Sequence, residues 1–326
     1  KADATTDDTA AIQSALNAAG QAGGGTVYAP AGIYRLNGSL SVPTGVELRG
    51  SFDGAHYGNS TNRGTQFYVY GNKDNASAAP LITLAQNAGA KGFTVFYPEQ
   101  GFSDKALIDA EKVHAYPPTI RANAGDWIQN IAIVAGYTGI DAMTNRCDGL
   151  VVLDVTGAVM KEAMRIGHGI DGGWVQNFHF NYSGWGQQGF YANNPANQLT
   201  ADGETTRTQL LDEYTTREVT GITLGDCRNV RFFSDFNILI NTQLHLIADP
   251  YTGGSFNGTM YGFAFDACQH GVVAESGIDA ELTLLSSMGV FHRNGTGYNV
   301  WTKPGFTGTV SIYNADAWAG GSKLAL

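Results

Sequence analysis

Three acidic residues could support acid–base chemistry in this chain: Glu162, Glu218 and Asp141. Hydrolysis of a glycosidic bond uses two carboxyl groups that flank the bond, roughly 5–9.5 Å apart. Glu162 and Asp141 occupy similar segments that are offset by three residues, so their backbones would lie about 11 Å apart if these segments stack as neighbouring strands. We expect Glu162 to be the general acid and Glu218 or Asp141 to activate water.

A second set of side chains has the chemistry to hold a sugar. Hydroxyl, amide and charged groups exchange hydrogen bonds with sugar hydroxyls, and aromatic rings cover the apolar face of a pyranose. The substrate-binding candidates are Arg165, Tyr191, Gln188, His245, Thr223 and Trp185. Trp301 is a candidate for a further aromatic platform. Together these residue types predict a carbohydrate-binding groove.

Most of these candidates lie in a recurring element in which glycine or alanine is followed by apolar–x–apolar. Its five copies begin at residues 139, 163, 189, 221 and 262. If the copies stack as neighbouring strands, the x positions form one outward row. That row would be Asp141, Arg165, Tyr191, Thr223 and Ala264, and the positions three residues earlier would be Thr138, Glu162, Gln188, Thr220 and Tyr261. Asp141 would then face Arg165, so an ion pair is its alternative role.

A repeat of about 22 residues indicates the fold class. Segments 125–131, 147–153 and 170–178 align with their aspartates 22 and 23 residues apart. Two or three short strands per period suit one coil of a parallel β-helix, in which every coil bonds to the coils above and below it. The sequence therefore predicts an all-β solenoid in one domain, residues 1–326.

Aspartate recurs before these strands, at Asp126, Asp148, Asp171, Asp226 and Asp266. Aspartate in a turn hydrogen-bonds to nearby backbone, which explains the recurrence without catalysis. A calcium ion that bridges successive aspartates is the alternative, since such a ladder offers hard oxygen ligands. We predict no metal site and no cofactor, with calcium as the open alternative.

Two segments depart from the repeat. Residues 6–19 have apolar residues at helical spacing, with Thr6 or Asp7 to cap the start and Gly23–Gly25 to end the helix. We expect segment 1–25 to cover the open end of the solenoid, where unpaired backbone would promote aggregation. Residues 193–219 are predicted to be a loop inserted over the groove, although a solvated acidic loop is the alternative.

Composition limits the partners of this chain. It has 326 residues, 43 glycines and a formal net charge of −10, which disfavours electrostatic binding of nucleic acid or anionic lipid. No apolar run reaches the roughly 18 residues that a membrane span requires. The three cysteines can form at most one disulfide. The predicted partner is a polysaccharide or oligosaccharide, with no nucleic acid and no membrane.

The N-terminal segment resembles a known superfamily. The runs TDDTAAIQSALNAA, GGGTVYAPAGIYRL and VPTGVELRG are similar to the N-terminal part of the pectate-lyase-like proteins, over roughly residues 5–50. The resemblance implies a right-handed parallel β-helix, a secreted or phage-borne protein and a polysaccharide substrate. That superfamily includes hydrolases, lyases, epimerases and non-catalytic tailspikes, so the resemblance identifies the architecture better than the chemistry.

The predicted function is that of a secreted glycoside hydrolase. Gly167-His168-Gly169 matches a tripeptide of the polygalacturonases, but the rest of that family's pattern is missing. A polysaccharide lyase, with or without dependence on calcium, is one alternative, with Arg165 to take the C5 proton. A groove with few cations in a protein of this negative charge would repel a polyuronate, which favours a neutral or weakly charged substrate. A non-catalytic, tailspike-like glycan-binding protein is the other alternative.

Overall fold

The protein is a parallel β-helix in the computed structural model, which describes residues 1–51, 64–100, 113–181, 207–291 and 297–318. The strand pairings are parallel, and successive coils hydrogen-bond to one another along the helix axis. The predicted fold class, a right-handed parallel β-helix with an N-terminal helix, is confirmed.

Short strands form the first coils within the described ranges. They are β1 (Asp3–Asp7), β2 (Gly25–Tyr28), β3 (Gly32–Leu36), β4 (Leu40–Val42), β5 (Val46–Arg49), β6 (Thr65–Val69), β7 (Ile82–Leu84), β8 (Gly89–Phe96) and β9 (Ile120–Arg121). Longer strands that bend through the corners of a coil follow: β10 (Trp127–Ala142), β11 (Leu150–Ile166) and β12 (Ile170–Asn181).

The last coils again consist of short strands. They are β13 (Thr220–Leu224), β14 (Cys227–Phe233), β15 (Phe236–Ile238), β16 (Thr242–Leu246), β17 (Asn257–Tyr261), β18 (Ala264–Cys268), β19 (His270–Ala274), β20 (Glu281–Leu285), β21 (Met288–Phe291), β22 (Tyr298–Thr302), β23 (Thr309–Tyr313) and β24 (Asp316–Trp318).

Three faces run along the helix axis, and the chain visits them in a fixed order in each coil. Strand β10 shows this order, with residues 127–129 on the first face, 131–134 on the second and 140–142 on the third. Downstream, the first face continues through β14, β17, β20 and β23, and the second through β15, β18, β21 and β24. The third face comprises β4, β7 and β9, the ends of β10 and β11, and then β13, β16, β19 and β22.

A single residue in the left-handed conformation makes the corner between the first and second faces. Asn130, Asp154 and Asn177 occupy it in successive coils with φ values of 52°, 54° and 53°. Asparagine and aspartate tolerate this conformation better than other residues with a Cβ atom. The Asn177 side chain also donates a 2.8 Å hydrogen bond to Asp154 Oδ1, so the corner residues stabilise one another between coils.

The recurring glycine–apolar–x–apolar element is explained by packing on the third face. A Cβ atom on Gly139 would lie 2.3 Å from the Ala163 carbonyl oxygen, and one on Gly221 would lie 2.7 Å from that of Gln243. The apolar positions stack in register inside the coil and are buried: Ile140, Met164, Ile222, Leu244, Val272 and Val300. Glycine thus permits close strand contact, while the apolar pair builds the core.

The N-terminal helix α1 spans Thr9–Gln21 and packs against β2, β4 and β5, as expected for a cap. It begins later than predicted because residues 3–7 join the sheet as β1, which pairs with β3. The Asp7 carboxylate accepts hydrogen bonds from the backbone and hydroxyl of Thr9 instead of lying within the helix. Ile12 and Leu16 are the buried residues of its apolar face.

The part of the predicted inserted loop that the structure describes is helical. Helix α2 spans Arg207–Glu218 and leads directly into β13. The Tyr214 hydroxyl donates a 2.8 Å hydrogen bond to the Met160 carbonyl oxygen, and the Thr215 hydroxyl bonds to the carbonyl oxygen of Leu239. These contacts fix the end of α2 beside the start of the third-face strands.

The three cysteines, Cys147, Cys227 and Cys268, are buried and free, so the one bridge that the sequence allowed is not formed. Burial raises the pKa of all three thiols. They therefore behave as small core residues.

Asp235 is a buried carboxyl group on the corner before β15. It is 1% exposed; Oδ1 accepts a 2.9 Å hydrogen bond from the Phe178 backbone, and Oδ2 has no partner within the described part of the chain. Burial raises the pKa of Asp235 well above its ordinary value, and the bond from Phe178 only partly opposes this. The protonated, neutral form of Asp235 is therefore more compatible with the folded state than the ionised form.

Asp235→Asn should leave stability nearly unchanged at pH 4 and increase it at pH 8. Because the folded-state pKa is raised, the wild-type group stabilises fully below about pH 3.8 and loses that contribution as pH rises. The expected gain at pH 8 is on the order of 1–3 kcal/mol, because the wild type must there bury a charge or retain a proton against its release, and asparagine need do neither. Urea unfolding of both proteins at both pH values measures it. A variant that is less stable than wild type at pH 8 would contradict the assignment.

Comparing the two proteins isolates Asp235 from other titrating groups. Burial also raises the pKa of Asp126 and of Asp212 to about 7. Both groups are present in the wild type and in the variant, so their pH dependence cancels in the difference.

Candidate active site on the third face

A row of outward-facing positions crosses seven strands of the third face. Its members pair in register, each with the next: Arg121, Asp141, Arg165, Thr223, His245, Val273 and Trp301. We call this set the third-face row. Neighbouring strands lie about 4.8 Å apart, so the row brings residues that are distant in sequence into contact.

The third-face row matches the predicted row in part. Asp141 lies opposite Arg165, as predicted, and Thr223 lies opposite His245. Arg165 pairs directly with Thr223, so the prediction of a further row position between these two residues is wrong. The prediction for Ala264 is wrong, because Ala264 pairs with Phe236 on the second face. A similar glycine–apolar motif precedes it, but the third-face strand of that coil is β19.

A second row runs three residues before the first. Glu162 pairs with Thr138 and Thr220, which confirms the predicted offset between Glu162 and Asp141. The row then continues through Thr242, His270 and Tyr298. Tyr261 does not belong to it, because Tyr261 pairs with Phe233 and Leu285 on the first face.

Three of the predicted sugar-binding residues, Tyr191, Gln188 and Trp185, lie outside the described residues. Their roles stay predictions. The residues discussed below all lie within the described ranges.

Asp141 is fully buried between two arginines. Its Oδ2 accepts a 2.9 Å hydrogen bond from Arg121 Nε, and its Oδ1 accepts one of 3.1 Å from Arg165 Nε. The hydroxyl and backbone of Thr144 donate two more. Burial by itself would raise the pKa of Asp141, but the charge of Arg165 and the hydrogen bonds from Thr144 and Arg165 outweigh it, and the pKa is about 2. Asp141 is therefore an ionised anchor for two guanidinium groups.

The two arginines are more accessible than the carboxylate that holds them. The side chains of Arg121 and Arg165 are 27% and 35% exposed, whereas that of Asp141 is 0% exposed. Two positive charges share one negative charge, so this end of the row is electropositive. Arg121 was not predicted from the sequence because β9, at Ile120–Arg121, lacks the glycine that opens the recurring element.

Glu162 is a partly exposed carboxyl group with an altered proton affinity. Its Oε1 accepts a short hydrogen bond from the Thr223 hydroxyl on the next coil. Burial raises the pKa of Glu162, and the bond from Thr223 and the charge of Arg165 only partly offset that rise. A carboxyl group that keeps its proton at higher pH than usual is suited to donate it.

Glu218 lies at the same end of the third-face strands as Glu162. Thr220 pairs with Glu162, and Glu218 precedes Thr220 by two residues at the end of α2. The Glu218 side chain is 30% exposed and forms a 2.8 Å ion pair with Arg217. Burial raises the pKa of Tyr137 on β10, and the negative charge of Glu218 raises it further. Glu218 therefore lies near the Tyr137 ring.

The row continues into a histidine–glutamate–lysine cluster. Glu275 Oε1 lies 2.7 Å from His245 Nε2 and 2.6 Å from Lys303 Nζ. Glu275 and Lys303 were missed in the sequence because each directly follows a third-face strand, β19 and β22, outside the positions that the repeat highlighted. The hydrogen bond to Glu275 holds the imidazole of His245 in one orientation.

Basic side chains are more frequent on this face than the sequence indicated. Arg121, Arg165, His245 and Lys303 all lie in or beside the third-face row. The expectation of a groove with few cations, which counted against acidic polysaccharides, is therefore wrong. Net charge describes the whole chain, whereas the coil register concentrates basic groups locally.

His168 lies in the turn after β11, beyond the catalytic candidates. Its Nδ1 is 3.1 Å and 3.0 Å from the carbonyl oxygens of Met143 and Thr144. The imidazole stacks on Tyr251 with ring centroids 4.4 Å apart and planes inclined by 2°. These contacts give the histidine of Gly167-His168-Gly169 a structural role.

The recurring aspartates do not form one ladder. Asp171 pairs with Arg228, not with Asp226, and Asp266 lies on the second face opposite Ile238. Their predicted bonding to backbone holds for Asp126, whose carboxylate accepts from the N–H groups of Ala88 and Asn123. Among the described residues, no three histidine, cysteine or acidic side chains converge as metal ligands do. These aspartates therefore do not fit a calcium ladder.

A right-handed parallel β-helix with charged residues in register along one face defines a class, the pectate-lyase-like β-helix proteins. The chain belongs to the family described as rhamnogalacturonase A/epimerase, pectate lyase-like, whose model matches residues 1–229. Within the described ranges, none of the helices is long and apolar enough to cross a membrane.

A solved structure with the same fold is the endo-xylogalacturonan hydrolase from Aspergillus tubingensis. It aligns with a TM-score of 0.54 and 14% sequence identity over 97% of this chain and 90% of that chain. At this identity the likeness concerns the fold.

Short segments of this chain match two proteins of Azotobacter vinelandii at higher sequence identity than the whole-chain structural alignment does. Alginate lyase 7 is 63% identical over 46 residues, and mannuronan C5-epimerase AlgE2 is 67% identical over 56 residues. These segments cover 14% and 15% of this chain but only 5% and 6% of those proteins.

Proposed function

We propose that this protein is a glycoside hydrolase that cleaves a polysaccharide bound along the third face. Glu162 carries the proposal: it is a partly exposed carboxyl group with a raised pKa, beside a row of polar and charged side chains. In the proposed reaction, Glu162 protonates the leaving glycosidic oxygen while the bond to the anomeric carbon breaks.

Glu218 is the partner that we propose for water activation. It lies two residues before Thr220, which pairs with Glu162, so its carboxylate belongs to the same stretch of the third face as the proposed acid. Asp141 is less suited to contact a sugar, because it is fully buried and bonded to two arginines. Its proposed role is to position Arg121 and Arg165.

The arginine pair supports a substrate that carries acidic groups. A guanidinium group presents several N–H donors in one plane, which match the two oxygens of a carboxylate. Arg121 and Arg165 share one carboxylate, so the pair retains one net positive charge. We therefore propose a weakly acidic polysaccharide, with these arginines and His245 orienting the sugar next to Glu162.

Elimination at a uronate is the second candidate. Arginines that neutralise a sugar carboxylate make the C5 proton more acidic, and His245, held by Glu275, is a base within the same row. Removal of that proton with loss of the C4–O bond would give an unsaturated product. The short matches to an alginate lyase and a C5-epimerase support this candidate.

A screen of the purified protein against polysaccharides separates these functions. We expect new saturated reducing ends from xylogalacturonan, polygalacturonate or alginate, without an increase in ultraviolet absorbance. Products that absorb in the ultraviolet would instead identify a lyase. Binding with no product by mass spectrometry would identify a glycan-binding protein and overturn both enzymatic proposals.

The proposed substrate also bears on location. A polysaccharide is too large to enter a cell by diffusion, so we propose that the protein acts outside the cell. Detection of the native protein in the culture medium would test this.

A further inference from the structure

Aromatic side chains cluster at the far end of the third-face row. Trp301 ends the row in β22, and its ring centroid lies 5.2 Å from that of His270 and 5.7 Å from that of Tyr298. Lys303 Nζ lies 5.7 Å from the centre of the Trp301 ring. We call these four residues the distal cluster.

The Trp301 ring is available for stacking. Its plane is inclined by 49° to the ring of His270 and by 36° to that of Tyr298, so neither ring covers it face to face. Trp301 is also 38% exposed. His270 and Tyr298, by contrast, stack on each other with planes 13° apart, and so support the cluster from the adjacent row.

The distal cluster is continuous with the proposed active site. From Thr223, which donates to Glu162, the row passes through His245 and Val273 to Trp301. Three strand spacings separate Thr223 from Trp301, about 14 Å. Val273 is only 5% exposed, so its side chain does not project into solvent between His245 and the indole ring.

We infer that the distal cluster is a remote sugar-binding subsite in which Trp301 stacks on a pyranose ring of the bound chain. The inference rests on the proposed function, because it places the polysaccharide in the same groove and parallel to the helix axis. A pyranose ring is comparable in length to one strand spacing, so a chain in this groove reaches Trp301 about three residues from the cleaved bond. The protein therefore binds a polymer and not a disaccharide.

Trp174 provides a matched control. It is a partly exposed tryptophan on the first face, away from the groove, and its ring stacks on Phe233 at 4.7 Å. Removing either indole has a comparable chemical effect, but only Trp301 lies in the proposed path of the substrate.

Affinity electrophoresis in gels that contain xylogalacturonan, polygalacturonate or alginate tests the subsite. Glu162→Gln serves as the parent so that the polymer stays intact, and Trp301→Ala and Trp174→Ala are added to it separately. We expect Trp301→Ala to weaken the affinity measured by retardation about tenfold, which corresponds to the loss of one aromatic contact. Trp174→Ala should leave this affinity unchanged. In the active protein, Trp301→Ala should raise KM for the polymer about tenfold with kcat unchanged. Thermal unfolding checks that both variants remain folded.

The outcomes separate the subsite from the hydrolase proposal. Retardation that depends on Trp301, in a protein that cleaves none of the three polymers, supports the subsite and overturns the hydrolase. Cleavage with equal retardation of parent and Trp301→Ala overturns the subsite alone. No retardation in any of the three gels overturns the subsite, and activity in the polysaccharide screen then decides the hydrolase separately.

Discussion

Glu162→Gln should lower kcat on a confirmed polysaccharide substrate by a factor of about 10² to 10⁴, the usual contribution of a positioned general acid. Glutamine keeps the shape of the side chain and can still accept the hydrogen bond from Thr223, but its amide has no acidic proton to transfer to the leaving oxygen. Stability should change little, because the substitution removes no apolar contact. Initial rates and a thermal melt of the same preparation measure both effects.

The pH profile provides a second test of Glu162. Burial raises the pKa of this carboxyl group, and a general acid is active only while protonated. Wild-type activity should therefore fall as pH rises through that raised pKa, and the alkaline limb should be absent from the residual activity of Glu162→Gln.

Glu281→Gln is the matched control for this charge removal. Glu281 is exposed on the first face and accepts a 3.1 Å hydrogen bond from Asn257. Its substitution should leave kcat and KM unchanged. If Glu162→Gln retains activity as well as Glu281→Gln does, Glu162 is not the acid.

Asp141→Asn should destabilise the protein by about 2 kcal/mol at pH 7 and reduce kcat/KM on the order of tenfold. The variant lacks the charge that Arg121 and Arg165 share, and both guanidinium groups lose an ionic partner. The loss of kcat/KM follows from their displacement and should appear mainly in KM. Urea unfolding and steady-state kinetics measure the two effects.

The stability difference should depend on pH in a defined direction. The pKa of Asp141 is about 2 in the folded protein against an ordinary value of 3.8. A lowered folded-state pKa stabilises above the unfolded value, so the contribution is present at neutral pH and disappears as pH falls from about 4 to 2. Wild type and Asp141→Asn should therefore become more similar in stability as pH falls through that range.

Asp148→Asn is the control for a surface ion pair. Asp148 pairs with Arg146 at 2.9 Å, but its side chain is 42% exposed. An exposed pair contributes about 1 kcal/mol or less. Equal destabilisation by Asp141→Asn and Asp148→Asn would show that the buried anchor has no special role.

The repeat made the fold predictable, because a solenoid uses the same local solution in every coil. Glycine–apolar–x–apolar recurs where strand backbones approach closely and apolar side chains point inward, as at Gly139 and Gly221. The N-terminal helix was likewise visible from its spacing, although pairing of residues 3–7 with β3 moved its start to Thr9. These features depend on neighbours along the chain or on the period.

The site was only partly predictable, because several of its residues lie outside the repeated element. Glu162, Asp141, Arg165, Thr223 and His245 were found because they lie in or next to the repeated element. Glu275 and Lys303 were not, since they follow their strands, and Arg121 lies in a two-residue strand without the motif. The Ala264 error arose because a similar motif occurs on the second face.

The sequence alone determined the period, the inward and outward alternation and the capping helix, since each follows from residue types at fixed spacing. The tertiary structure decided which coil lies next to which. Pairing of Arg165 with Thr223, across a segment of 57 intervening residues, brings the Thr223 hydroxyl to Glu162. Burial raises the pKa of both Glu162 and Asp141, but the two values move in opposite directions. Desolvation dominates at Glu162, whereas the charge of Arg165 and the hydrogen bonds from Thr144 and Arg165 outweigh it at Asp141.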